Sequence, residues 1–257
     1  MSRFPEDPRR RRVVMVLEQH DIDKLHQDGE TAIFADPHAQ VITTLEMPGP
    51  ADTALASIID SGLDQSGMLL VQSPFQPDVY AEAGQAAEQF ALTKQTLFLN
   101  FCQLLGATQV SVTQVTTVDG DKADTLDLEG GRLGTSASLN GKRTESEKLA
   151  ARLSLLDEFE GGPPDIENAE ALLRENRLMG DQVMRSMLQA RAGRNGIKRR
   201  TVTLNLSSET KNSLGVLAKL QIGPTHVNCD FQRIANERRT YELHMEVLFE
   251  PSHLALT

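Results

Sequence analysis

The densest group of titratable side chains is His20-Asp21-Ile22-Asp23-Lys24-Leu25-His26. His20, Asp23 and His26 recur at intervals of three, so on a helix two imidazoles and a carboxylate share one face, a set able to hold a divalent metal. A metal centre also needs partners that orient its ligands, and none can be named here. A polar helix surface with Asp21 or Asp23 as a cap is the plainer reading. Asp36-Pro37-His38 reads as a turn before it reads as a catalytic pair. His226 and His244 fall at polar positions of alternating segments, with Glu242 and Glu246 close to His244. Neighbouring strands could unite them as an acid–base pair, but a solvated polar sheet face accounts for the same alternation. The expectation is no catalytic residue, no metal and no cofactor.

Charge segregation is the sharper signal. Asp157, Glu158, Glu160, Asp165, Glu167 and Glu170 are six acids with no base between them. Arg185, Arg191, Arg194, Lys198, Arg199 and Arg200 are six bases with no acid between them. Acids at a helix start and bases at its end complement the helix dipole. Arg194 to Arg200 lie past the helix in a Gly-containing turn, which the dipole does not explain. These six basic residues are the candidate binding residues, for phosphate, an acidic lipid surface or the acidic block of a second copy. Arg9-Arg10-Arg11-Arg12 is a second basic run, read as a solvated tail or an interaction arm.

Motifs of the large enzyme classes are missing: G-x-x-x-x-G-K-[ST], a post-strand G-x-G-x-x-G, G-x-S-x-G and H-E-x-x-H do not occur. The formal charge of −10 repels phosphate backbones, and no aromatic residue interleaves the basic runs, so nucleic acid is an unlikely partner. Two cysteines, Cys102 and Cys229, are too few for a disulfide framework and lack metal spacing, which points to buried thiols in a reducing, cytoplasmic setting. No apolar run approaches 18 residues. The run Val13–Leu17 is too short for a secretory signal. With no Trp and two Tyr, the core rests on aliphatic side chains, Met and nine Phe.

The elements that must position these groups follow from periodicity. The first ten residues lack any period and are expected to fray. Val13–Leu17, Thr31–Phe34, Gln40–Leu45 and Met68–Gln72 read as short strands, and Ala51–Gly62 as a helix. A long helix is expected from Pro77 to Gly106, with Val79, Ala83, Ala86, Phe90, Leu97, Phe101 and Leu104 as its stripe, ~40 Å long at 1.5 Å per residue. The period then switches to alternation, and Asp119-Gly120 marks a hairpin. Thr144 with Glu147 forms a capping box for a helix to Phe159. Asp165 caps a second helix running to Gly193, kinked near Gly180. Alternation returns in Val202–Leu206, Leu214–Ile222, Val227–Phe231 and Tyr241–Phe249, four strands of an antiparallel meander whose apolar face includes Tyr241, Leu243, Met245, Val247 and Phe249.

The expected fold is α+β. An N-terminal part, residues 1–106, mixes strands and helices, including the long helix. A β-rich part, residues 107–257, holds a hairpin, a helical pair at about 144–192 and the C-terminal four-strand meander. The expected function is that of a soluble, acidic, non-enzymatic binding or assembly protein, self-associating or meeting another protein. A straight helix between the two charge blocks would hold them ~40 Å apart, several Debye lengths, so they could not neutralise each other within one chain. One alternative is a pore-forming or membrane-remodelling protein, in which the helices at 144–159 and 165–191 refold into β-hairpins; Leu149, Ala151, Leu153 and Leu155 alternate as this needs. The other is a His- and carboxylate-dependent hydrolase.

Overall fold

The structure is a computed structural model; it describes residues 4–44, 52–119, 122–129, 132–133, 151–153, 156–193, 196–217 and 240–249. The fold is α+β, with two sheets and a long helix, and divides into two compact units. One unit comprises Met1–Phe90 and Ser208–Arg238, the other Ala91–Ser207 and Arg239–Thr257.

In the first unit, β1 (Val13–Leu17) is buried at all five positions, as a continuous apolar run requires. It pairs in parallel with β2 (Ala39–Thr43) and antiparallel with β3 (Leu69–Gln72), which pairs with β4 (Tyr80–Glu82). Val14, Val16 and Leu70 cluster with Leu55 and Ile58 of α3 (Thr53–Asp60). The polar helix α1 (Gln19–Gln27) has no buried residue.

Three expectations are corrected in this unit. Thr31–Phe34 is not a strand: a one-turn helix α2 (Ala32–Ala35) forms, closed by Phe34 N–H donating to Thr31 O at 3.1 Å. A four-residue apolar run has no period with which to decide. The first ten residues, expected to fray, lack period but not structure from residue 4 on: Pro8–Arg11 make a 3₁₀ turn capped by Asp7, and Arg11 is buried. The long helix, α4 (Ala86–Leu104), begins nine residues after Pro77 because Tyr80–Glu82 pair with β3.

The second unit is organised on an antiparallel sheet. Hairpin strands β5 (Ala107–Asp119) and β6 (Lys122–Glu129) place Asp119 opposite Lys122, where Asp119-Gly120 signals the turn. A short β7 (Arg132–Leu133) pairs antiparallel with β6. On the other side of β5 lie β10 (Thr240–Phe249) and then β9 (Arg199–Asn205). Strand β10 alternates without interruption, and Tyr241, Leu243, Met245, Val247 and Phe249 are buried.

The meander is built differently from its expected order. Leu214–Leu217 belong to a helix, α7 (Ser208–Leu217), not to a strand. Leu214 stands four residues after Thr210 and three before Leu217, so it fits a helical spacing as well as the alternating one. The rest of that expected strand and Val227–Phe231 lie outside the described residues. Strand β10 is instead flanked by β9 on one side and the hairpin strand β5 on the other.

The helical pair also differs. Residues 151–153 are helical, but Leu156–Glu158 form β8, paired with β5; the capping box Thr144–Glu147 lies outside the described residues. The expected second helix is two: α5 (Ile166–Glu175), capped by Asp165, and α6 (Gln182–Ala192). Arg177, in the left-handed region at φ 57°, breaks the first, and Asp181 starts the second by accepting from Val183 and Met184 N–H. The helix-to-strand corner after α4 needs Gly106 (φ 77°): a β-carbon there would run into the carbonyl of Gly162.

Lys94 of α4 has no exposed side-chain surface. Its Nζ donates to Asp181 Oδ2 at 2.8 Å and to the Asn205 carbonyl at 2.7 Å. Asp181 thus caps α6 with one oxygen and neutralises a buried ammonium with the other. Asp181→Ala is expected to cost about 3–5 kcal/mol, the loss typical of an orphaned buried charge. Asp165→Ala, which removes only an exposed cap, is expected to cost about 1 kcal/mol. Urea midpoints of the two variants give the comparison; equal losses would mean that Lys94 does not depend on Asp181.

Candidate interaction edges of the antiparallel sheet

The six candidate binding residues part company in the structure. Arg191 is turned inward, 4% exposed, with Nε donating to Leu105 O at 3.0 Å and Nη1 to Ile197 O at 3.2 Å. Its guanidinium lies 4.5 Å from the centroid of the Phe249 ring. No carboxylate is among these partners, and burial lowers its pKa. Arg191 therefore anchors the following loop. Arg185 is exposed on α6, and Lys198 and Arg199 are exposed at the start of β9. Arg200 is half-buried, its Nη2 donating to Ser186 Oγ of α6 at 2.6 Å. Arg194 lies outside the described residues. Of the acids, Glu158, Glu160, Asp165 and Glu167 are exposed and Asp157 and Glu170 half-buried.

Strand register brings the two blocks into one frame. Glu158 pairs with Gln109, Gln109 with Leu248, and Leu248 with Arg199. In the next row Asp157, Val110, Val247 and Arg200 lie side by side. The third row runs Leu156, Ser111, Glu246, Thr201. The sheet at this end therefore has an acidic edge, β8, and a basic edge, β9. Three inter-strand steps separate them, about 14 Å at 4.8 Å per step. That exceeds the ~8 Å Debye length at physiological salt. Arg199 does reach Glu246 on the adjacent strand, with Nε 3.2 Å from Oε1, yet its side chain stays 67% exposed. The expected separation of the blocks along one straight helix gives way to separation across a sheet.

Among the described residues the histidine groups do not converge. His20 sits 3.1 Å from carboxylate oxygens of both Glu18 and Asp21, Asp23 accepts from Gln19 Nε2, and His26 stacks on Phe34. Asp36 Oδ1 accepts from the His38 backbone N–H at 2.7 Å, closing a turn. His244 bonds Thr203 Oγ1 at 3.0 Å on the polar sheet face; His226 lies outside the described residues. Among the described residues no group of three or more His, Cys, Asp or Glu is placed to hold a metal, and no helix is long and apolar enough to cross a membrane.

A cluster missed by sequence reasoning surrounds Arg11 in the first unit. Its guanidinium donates to Pro77 O, Tyr80 Oη and Asp78 Oδ1, the last at 2.6 Å, and lies over the Phe4 ring. A cavity of about 400 Å³ opens beside it, lined also by Pro8, Thr53 and Ala54. A run of four arginines gives no sign of which one turns inward. Burial raises the Tyr80 phenol above its ordinary value of 10.0, against the opposing pull of Arg11. A raised folded-state pKa contributes stability that is full below the unfolded value and is lost as pH rises. The thermal midpoint is thus expected to fall as pH rises above about 10, and Tyr80→Phe to remove part of that fall; an unchanged slope in that variant would contradict the burial. In comparisons with known proteins, no family model, curated protein or solved structure matches this chain.

Proposed function

We propose that this is a non-enzymatic binding protein that acts by self-association in a reducing, cytoplasmic compartment. The observation that carries the reading is the pair of oppositely charged edges on one sheet. Exposed charges of opposite sign that are screened from each other within a chain are available to a second chain. Individual exposed ion pairs add only ~0–1 kcal/mol, but several together steer encounter and fix register. Two further features support the reading. Arg11, Tyr80, Cys102 and Arg191, the described groups whose titration is displaced, are all buried, and Arg11, which borders the cavity, is held by Asp78, Tyr80 and the Pro77 carbonyl. The buried free thiol of Cys102 suits a reducing compartment. The basic edge is also short and free of aromatics, and the net charge of −10 opposes a nucleic-acid partner.

Sedimentation velocity at micromolar concentration tests this. At about 50 mM salt the mass is expected to exceed that of the 28.3 kDa monomer, and to fall towards it near 1 M salt as the Debye length shrinks. Reversing Lys198 and Arg199 to Glu together is expected to weaken association by about tenfold or more. A monomer at low salt, or an oligomer indifferent to both salt and reversal, overturns the proposal.

A further inference from the structure

Resting on that reading, we propose that the partner is a second copy joined by strand addition. In this arrangement β9 of one chain lies antiparallel to β8 of the next, with Arg199 opposite Glu158 and Thr201 opposite Leu156. Backbone direction and strand direction at the two edges allow this pairing, and side-chain chemistry selects its register.

The first is the direction of the backbone groups. Along an antiparallel strand, residues alternate between facing one neighbour and the other. Phe249 N–H donates to Lys198 O, and Leu206 N–H to Tyr241 O, both at 2.8 Å. Even-numbered residues of β9 therefore face β10, and Arg199, Thr201 and Thr203 direct N–H and C=O outward. The outward carbonyl of Asn205 is taken by Lys94, which ends the open edge. On the opposite side, Phe159 N–H donates to Thr108 O at 2.8 Å, so Leu156 and Glu158 face away from β5. Both sets of outward groups lack a backbone partner among the described residues.

The second is strand direction. Strand β8 is antiparallel to β5, β5 to β10, and β10 to β9. Hence β8 runs opposite to β9, and a copy docked with its β8 against β9 continues the alternation.

The third is side-chain chemistry. Arg199, Thr201, Leu156 and Glu158 all stand on the exposed face. Directly opposed residues bring their Cβ atoms within about 4.5–5.5 Å, so Arg199 meets Glu158, while Thr201 covers Leu156, an exposed large apolar side chain (43%). Arg200 and Asp157 meet on the other face. Two β9 edges paired antiparallel would instead set Arg199 and Arg200 of each against the neutral residues of the other, with no carboxylate to meet. Two β8 edges would oppose carboxylates. Only unlike edges therefore bring opposite charges together. An interface between unlike patches is heterologous and grows into a ring or an open chain, not a closed two-fold dimer.

Disulfide trapping in the full-length chain with Cys229→Ser tests the register. A hydrogen-bonded antiparallel pair holds its Cα atoms about 5.5 Å apart, within disulfide reach. Glu158→Cys alone and Arg199→Cys alone are expected to give no linked species under mild oxidation. Their mixture is expected to give a covalent dimer, and the double variant a ladder. A second variant, Thr201→Pro, deletes an outward N–H at an edge position without touching the β10 ladder. It is expected to weaken association by about tenfold with an unchanged melting temperature. If sedimentation shows salt-sensitive oligomers yet the mixture does not link and Thr201→Pro associates normally, strand addition is wrong and self-association stands. A monomer at low salt removes both.

Discussion

A lysine ammonium with no exposed surface constrains the whole second unit. Lys94 has to find its counter-charge and its acceptors inside the protein, because burying an isolated ammonium costs several kcal/mol. It finds them in Asp181 and in the Asn205 carbonyl. One side chain of α4 thereby fixes the start of α6 and the end of β9. The neighbouring Gln95 adds a tie to the carbonyl of Leu153 at 2.6 Å, at the chain segment that leads into β8. Consecutive polar residues of α4 thus hold the approaches to both sheet edges.

Arg191 extends the same economy from the other end of α6. Its guanidinium bonds Leu105 O, beside the Gly106 corner, and Ile197 O, just before β9. Held between Phe249 and these carbonyls, it sets the exit of the basic loop, so Lys198 and Arg199 emerge at a defined place on the sheet edge. Among the described residues the basic block is therefore one buried anchor, Arg191, a half-buried Arg200 and the exposed Arg185, Lys198 and Arg199. The dipole argument for bases at a helix C-terminus does not distinguish these two roles; the distinction lies in which side chain the Gly-containing turn folds over.

How legible this was depended on how many periods a segment could satisfy. Strand β10 alternates over ten residues, and β1 is five apolar residues in a row; each fits one element, and each was readable. Asp165 was readable as a cap because its neighbours carry no competing signal. Thr31–Phe34 and Leu214–Leu217 were misread because a short apolar spacing fits helix and strand alike, and tertiary pairing decides between them. The break between α5 and α6 showed in the sequence only as a kink expected near Gly180; Arg177 itself was not marked, since a non-glycine residue at φ 57° carries no compositional signature. The two charge blocks stood out as composition, but their placement on opposite edges of the same rows is a property of non-local pairing between β8, β5, β10 and β9. No window of the sequence contains it.

Open sheet edges invite indiscriminate pairing, and proteins commonly blunt them with charge. A uniform charge blunts an edge against every neighbour of the same kind. Here the two edges differ in sign, so in the proposed strand addition only the pairing of unlike edges brings opposite charges together. With Arg199 and Glu158 in one sheet row, the charges also favour one register over a slide along the strand. Because β8 has only three residues, its backbone bonds with a neighbour would be few. Charge then has to supply selectivity, while Leu156 supplies the apolar surface that charge alone lacks. A short edge of this kind favours reversible contact, since few bonds must break for copies to part.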